Sequence, residues 1–277
     1  MGKVILITGA SSGIGKDAAL SLIKKGHIVY GAARRISKMK DIVEAGGHSI
    51  KMDVLKKEDV DKAVDQVMGE QNRIDVLVNN AGYGLWGAVE TITIDEAKRQ
   101  FDVNLFGLAY LTKKVIPLMR NQKSGKIINM SSMGGKVYTP FGAWYHATKY
   151  ALEGWSDCLR IELKDFGIDV ILIEPGVIKT EFQNVMMGST LKRSLGTPYE
   201  KKIRALEKAT EKMYARGLGS PPSIITKLIS RAIDSQKPRR RYVGGLFAKP
   251  MLFIKKWFGD KLYEKAIKSQ VKKTLKK

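Results

Sequence analysis

Short β-branched runs alternate with amphipathic stretches through the first 175 residues of this chain, and few folds accommodate that rotation. Val4-Ile5-Leu6-Ile7, His27-Ile28-Val29-Tyr30, Ile74 to Val78, Lys126 to Met130 and Ile168 to Ile173 read as strands, with His48 to Met52 a weaker sixth. Apolar runs without alternation suit parallel strands covered on both faces. Helical periodicity fills 14–25, 57–70, 95–120 and 143–166 between them. Strand, helix, strand in rotation predicts an α/β fold built on a doubly wound parallel sheet. Such a sheet binds its ligand at the carboxyl ends of its strands.

Past Pro175 the rotation stops. Residues 180–220 carry three methionines among scattered Gly and Ser, with a helix expected at 198–215. A second helix starts at Pro221-Pro222, and Arg239 to Gly245 supplies a last short strand. The parse is one domain over 1–245, with a substrate lid at about 182–220, followed by a basic extension at 246–277. No apolar run approaches the roughly 18 residues of a membrane span. Met1-Gly2-Lys3 leads straight into strand one, so no leader is expected, and Leu6 stands where N-myristoylation needs Ser or Thr. A single cysteine, Cys158, makes no internal disulfide, and three histidines without ligand spacing predict no metal site. These features predict a cytoplasmic protein.

Strand one ends in Thr8-Gly9-Ala10-Ser11-Ser12-Gly13-Ile14-Gly15 and enters a helix. Glycines allow a tight turn and close approach of backbone to a phosphate. The helix N-terminus behind them offers free N–H groups to a pyrophosphate. This is the entrance to a Rossmann-type dinucleotide site. The end of strand two selects the cofactor, and here it reads Gly31-Ala32-Ala33-Arg34-Arg35 without a carboxylate for a ribose 2′-hydroxyl. A guanidinium pairs instead with a 2′-phosphate. The expectation is NADP(H) in preference to NAD(H), with Arg34 the main contact and Arg35 in support.

Thr8 to Gly15, then Asn79-Asn80-Ala81-Gly82 after strand four, then Tyr145-His146-Ala147-Thr148-Lys149, together resemble the short-chain dehydrogenase/reductase family over at least residues 3–181. The sequence is similar, more narrowly, to the hydroxysteroid-dehydrogenase-like branch. Tyr145 and Lys149 are four apart, so on a helix they share a face. A nearby ammonium favours the phenolate and so lowers the ordinary tyrosine pKa of about 10. The pair suits proton donation to a carbonyl oxygen. The resemblance further gives Lys149 a hydrogen bond to the nicotinamide ribose. It gives Ser132, thirteen residues before the tyrosine, the task of polarising the substrate carbonyl. It assigns Asn104 to a helix kink and a water that relays protons to the lysine. It places Asp53 and Val54 at adenine, Asn80, Ala81 and Gly82 along the cofactor cleft, and Pro175, Gly176, Val177 and Thr180 at the carboxamide. It also implies a homodimer or homotetramer through the helices at 100–120 and 145–165.

Phe182, Val185, Met186, Met187, Leu191 and Leu195 give the lid an apolar wall, and Phe141 and Trp144 are expected to line the same pocket. The substrate expected is a hydrophobic ketone or alcohol: steroid-like, retinoid-like or long-chain. The formal charge of +22 is uneven, at +5 over residues 1–180 and +17 over 181–277. Residues 237–277 hold 14 basic and 2 acidic side chains interleaved with Phe247, Phe253, Trp257, Phe258 and Tyr263. This pattern covers the substrate cleft, or equally a subunit interface, with the cleft the favoured reading and an anionic membrane the second. Nucleic acid ranks third, because no recognition motif accompanies the charge. The same residues fit two further classes of function: a cofactor-binding regulator without turnover, and a membrane- or partner-binding module.

Overall fold

The computed structural model describes residues 2–275, and the side chains of all but 183–185 and 270–275. Strands β1 (Val4–Thr8), β2 (Ile28–Ala33) and β3 (His48–Lys51) form one half of a parallel sheet. Strands β4 (Val76–Asn79), β5 (Gly125–Met130), β6 (Ile168–Pro175) and β7 (Arg241–Gly244) form the other half. The order is β3-β2-β1-β4-β5-β6-β7, so the chain reverses direction of growth between β1 and β4. That topological switch point opens a crevice at the carboxyl ends of both strands.

Helix α1 (Gly13–Lys24) and the short α2 (Lys40–Glu44) cover one face. Helices α3 (Lys57–Gln71), α4 (Ile94–Phe101), α5 (Leu108–Asn121) and α6 (Ala143–Leu163) follow on the other side of the chain's path. The chain then forms α7 (Glu181–Ser194), α8 (Glu200–Ala215), α9 (Pro222–Asp234) and α10 (Ala248–Leu275). Adjacent residues of β1 face opposite cores. Ile5 and Ile7 pack with Leu22, Ile225 and Ile229, whereas Val4 and Leu6 pack with Val64, Leu111 and Leu163. Burial of both faces is why this strand reads as an unbroken apolar run.

Polar groups stitch the layers where apolar contact alone would leave the register free. Asn79 Nδ2 donates to Thr112 Oγ1 and Asn129 Oδ1, each at 2.9 Å, and Asn129 Nδ2 donates to Ser156 Oγ. Lys126 Nζ donates to the carbonyls of Ala232, Ile233 and Ser235, and Lys3 Nζ also donates to Ile233, so side chains satisfy the C-terminus of α9.

Two elements differ from the sequence reading. The helix expected over 95–120 is divided by a π-helical turn, Asp102–Gly107, between α4 and α5. Gly107 lets the Val54 backbone pass close to this turn, because a Cβ there would lie 2.6 Å from the Val54 carbonyl oxygen. Helix α7 was not expected, since Gly188, Ser189 and Ser194 interrupt its apolar periodicity. Tertiary contacts hold it instead: Thr190 Oγ1 donates to the Trp86 carbonyl at 3.0 Å, and Arg193 pairs with Glu96.

Candidate active site

A cleft of about 1140 Å³ runs along the carboxyl ends of the strands. At one end lies the glycine-rich turn between β1 and α1. Gly9 and Gly13 adopt positive φ, +69° and +56°, and a Cβ on Gly9 would stand 2.9 Å from Ala81 Cα. Thr8 Oγ1 fixes the opposite wall by accepting the N–H groups of Asn80 and Ala81. Ser12 precedes α1 without capping it through its side chain, so the first N–H groups of that helix remain open to a ligand. Gly9, Ser11, Ser12, Gly13 and Ile14 line the cleft. Gly15 does not. It is buried behind the turn, where a Cβ would meet Asn80 Nδ2 at 2.4 Å, so its requirement is for packing rather than ligand contact.

Arg34, Arg35, Asp53, Val54, Asn80, Ala81 and Gly82 continue the lining. Arg35 Nη2 lies 3.1 Å from Ser12 Oγ, 3.4 Å from Ser11 Oγ and 3.4 Å from Glu181. Arg34 is exposed and has no such partner among the described residues. This donor set fits a dinucleotide with a phosphorylated ribose: open helical N–H groups for the pyrophosphate and two guanidinium groups beyond it. Pro175, Gly176, Val177 and Thr180 line the far wall.

In the middle of the cleft, α6 presents Tyr145 and Lys149 one turn apart, 9% and 8% exposed. Ser132, at the end of the loop after β5, accepts the Gly134 N–H at 3.0 Å and hydrogen-bonds the Tyr145 phenol. Lys149 Nζ donates to the Met130 carbonyl at 2.8 Å and stands 5.9 Å from the centre of the Tyr145 ring. Burial presses the lysine down to about 8, with the Glu153 carboxylate opposing it. The net lowering of the tyrosine pKa expected beside the ammonium is corrected here, because burial outweighs it in this structure. Burial raises the phenol above its ordinary value and the Ser132 hydrogen bond only partly offsets it, with the ammonium directed at a backbone carbonyl.

Asn104 sits in the π-helical turn, where Nδ2 donates to the Tyr83 carbonyl at 2.9 Å and to Thr148 Oγ1 at 3.2 Å. Its Oδ1 accepts the Tyr83 N–H. The kink is therefore present, but the side chain is outside the cleft lining and braces the Tyr83 segment against α6. Trp144 is also outside the cleft: it packs with Leu85, Ile92 and Ala97 and lines a separate small depression. Its neighbour Tyr145 takes the inward face, and a residue one position earlier on a helix points elsewhere. Phe141, Phe182, Met186 and Met187 do line the cleft, whereas Leu191 and Leu195 do not, and the Val185 side chain lies outside the described residues.

Two residues of this site carried no recognised sequence signal. Trp86 lies with its ring centre 4.6 Å from that of Tyr145 and, with Phe182 at 5.9 Å, walls the phenol. His146 is buried, with Nδ1 2.9 Å from the Gly134 carbonyl and Nε2 3.0 Å from the Thr139 N–H. The carbonyl requires a donor at Nδ1 and the N–H an acceptor at Nε2, so those partners select one neutral tautomer. Burial lowers its pKa in the same sense. His146 thus holds the loop that presents Ser132.

A family profile described as short chain dehydrogenase matches residues 3–188. The chain belongs to that family. As a short-chain dehydrogenase it is an NAD(P)-dependent oxidoreductase working between CH–OH and C=O groups. It is 36% identical over 274 residues to a protein of Bacteroides thetaiotaomicron named 3-ketodihydrosphingosine reductase, covering 96% of this chain and 97% of that one. It is 33% identical to an Ornithobacterium rhinotracheale protein named NADPH-dependent 3-dehydrocapnine reductase, covering 96% and 98%. A solved short-chain dehydrogenase from Streptomyces avermitilis superposes with a TM-score of 0.78 at 31% identity, covering 99% of this chain and 96% of that one.

Proposed function

We propose that this enzyme uses NADP(H) in preference to NAD(H) to interconvert a ketone and a secondary alcohol on a long apolar chain, with Tyr145 as the acid and base. The observation that carries the reading is the reach of the cleft. From Tyr145 it extends under α8, whose Ala205, Leu206, Ala209 and Met213 form one helical stripe facing the cleft. Ile203 alone is buried among the α8 side chains, so the stripe is an apolar wall that an apolar ligand completes. Phe247, Met251, Tyr263 and Ile267 close the far side. Tyr263 is fully buried and its hydroxyl donates to the Tyr138 carbonyl at 2.6 Å, anchoring the basic extension over the cleft. Two relatives bear the names of reductases, one specifying a 3-keto group. Those names and the elongated wall set a long chain ahead of a steroid.

NADP(H), when bound, supplies or accepts the hydride. The chain's own residues do the rest. Ser132 and Tyr145 meet the substrate oxygen, Tyr145 Oη gives or takes its proton, and the Lys149 ammonium stabilises the phenolate that results. Trp86 and Phe182 exclude water from that proton. Assembly of copies through the α5 and α6 side is supported by the exposure of Phe106, Tyr150 and Ile161 there.

The test is NADPH oxidation by the purified protein across ketones graded from small polar to steroid and long-chain. Turnover rising with chain length is the expected result, and a preference for small polar ketones overturns the substrate reading. NADPH binding without turnover on any ketone favours a cofactor-binding regulator. Cofactor choice is tested separately. Arg34→Ala is expected to weaken NADPH binding about tenfold through loss of one charge-assisted contact, with NADH binding unchanged. Equal loss of both cofactors, read by fluorescence titration, excludes a 2′-phosphate contact.

A further inference from the structure

The basic extension has two faces, and the cleft uses only one of them. On the inner side Phe247, Met251 and Tyr263 line the cavity. Outside the cavity lining, Phe253, Trp257, Phe258 and Leu262 are 56, 66, 55 and 44% exposed. The three aromatic rings form a cluster: the Phe253 ring centre lies 6.3 Å from that of Trp257 and 6.1 Å from that of Phe258. Within α10, Lys249, Phe253, Lys256 and Trp257 stand at i, i+4, i+7 and i+8, hence on one helical face, with Met251 on the other. The Lys256 ammonium lies 5.3 Å from the Trp257 ring centre. Gly259, at φ +69° and ψ −172°, bends the helix immediately after the cluster and brings Tyr263 to its anchor.

Large contiguous apolar patches are uncommon on soluble surfaces and mark a contact with something else. The charge of the patch selects the occupant. A second copy docked face to face would set Lys249 and Lys256 against their own equivalents, in the third of the chain that carries +17. A nucleic acid would satisfy the lysines and stack on the rings, but no recognition motif accompanies the charge. A lipid bilayer with anionic headgroups satisfies all of these groups. Aromatic rings and leucine enter the boundary between headgroup and acyl chain, and lysines reach back to the phosphates. Phe247 connects the two faces, being both 39% exposed and part of the cavity wall.

We propose that the outer face of α10 docks this enzyme on an anionic lipid bilayer, with the cleft mouth at Phe247 turned toward the membrane so that apolar substrate passes directly between lipid and active site. The docking stands on the α10 face itself; only the passage of substrate rests on the function proposed above. No helix of the described residues is long and apolar enough to cross a membrane, so the attachment is to one leaflet.

The experiment is co-sedimentation of the full-length protein with vesicles of phosphatidylcholine alone and of equal parts phosphatidylcholine and phosphatidylglycerol. Binding to the anionic vesicles only, weakened by salt, is expected. The variant Phe253→Ser/Trp257→Ser/Phe258→Ser is expected to lose about tenfold or more in partitioning while keeping its melting temperature and its turnover of a small soluble ketone. Should that variant fold poorly, Lys249→Glu/Lys256→Glu reads the same face through charge. Absence of binding to anionic vesicles overturns the proposal, as does unchanged binding by both variants. A variant that changes the oligomeric mass while binding vesicles normally assigns the face to a second copy. One that loses retention of a single-stranded oligonucleotide, with vesicle binding intact, assigns it to nucleic acid, and either result overturns the lipid. Vesicle binding by an enzyme that turns over no long-chain ketone leaves the docking standing and removes the substrate reading.

Discussion

Tyr145→Phe is expected to lower kcat for ketone reduction by about a thousandfold while leaving the dissociation constant for NADPH and the melting temperature unchanged. The substitution removes one oxygen and nothing else. The ring keeps its packing against Trp86 and Phe182, and the lost hydroxyl was hydrogen-bonded to Ser132. Ser132 retains the Gly134 N–H as a partner, so no buried group is orphaned. The direction of the phenol's shift sharpens the expectation. Burial raises its pKa, so the resting side chain is a neutral acid throughout the physiological range. That is the form needed to protonate a carbonyl oxygen. Alcohol oxidation needs the deprotonated form, and its pH optimum is therefore expected to lie on the alkaline side of the optimum for reduction. Initial rates in both directions across pH measure this. Retention of more than about a tenth of the wild-type rate by the phenylalanine variant removes Tyr145 from the chemistry.

What the sequence revealed of this site and what it hid divide along chain distance. The glycine turn, the Tyr145 and Lys149 pair and the strand ends at Asn80 and Ser132 are local patterns. A spacing of four on a helix, or a turn closing on a strand, fixes where those side chains go before any tertiary contact forms. The parallel sheet was legible for a related reason, since strands buried on both faces must be apolar throughout. Trp86 was invisible because its position against Tyr145 is set by a loop after β4 meeting a helix nearly sixty residues later. Helix α7 was missed because Thr190 and Arg193 hold it through Trp86 and Glu96, about a hundred residues upstream. Gly15 and Asn104 show the converse. Both belong to recognisable motifs, yet their contacts are with Asn80, and with Tyr83 and Thr148, so the motif marks packing as well as ligand contact.

The two arginines after β2 show a finer limit. Their type argued for a phosphate, and both line the cleft. Glu181, at the start of the unexpected α7, pairs with Arg35, whereas Arg34 has no such partner among the described residues.

Lys149→Met is expected to lower kcat/KM for reduction by about a hundred- to ten-thousandfold and to abolish the alkaline limb of its pH profile. Methionine matches the length of the lysine stem and carries no charge. Burial brings the lysine to about 8, so the wild-type ammonium is present below that pH and lost as pH rises through it. Reduction by the wild-type enzyme therefore falls above pH about 8, because the phenolate formed on Tyr145 loses its counter-charge. The variant lacks that charge at every pH and so shows no such fall. Stability moves the other way. The folded pKa lies below the unfolded value of 10.5, so the folded state holds this proton less tightly and the buried ammonium costs stability at neutral pH, a cost that fades between pH about 8 and 10.5. Methionine removes that cost, and Glu153 keeps a partner in Arg241 at 3.0 Å. A melting temperature at or above that of the wild type, together with the loss of rate, separates a chemical role from a structural one. A variant that is inactive because it unfolds loses the rate and the melting temperature together, and a variant that keeps the alkaline limb transfers that pKa to another group.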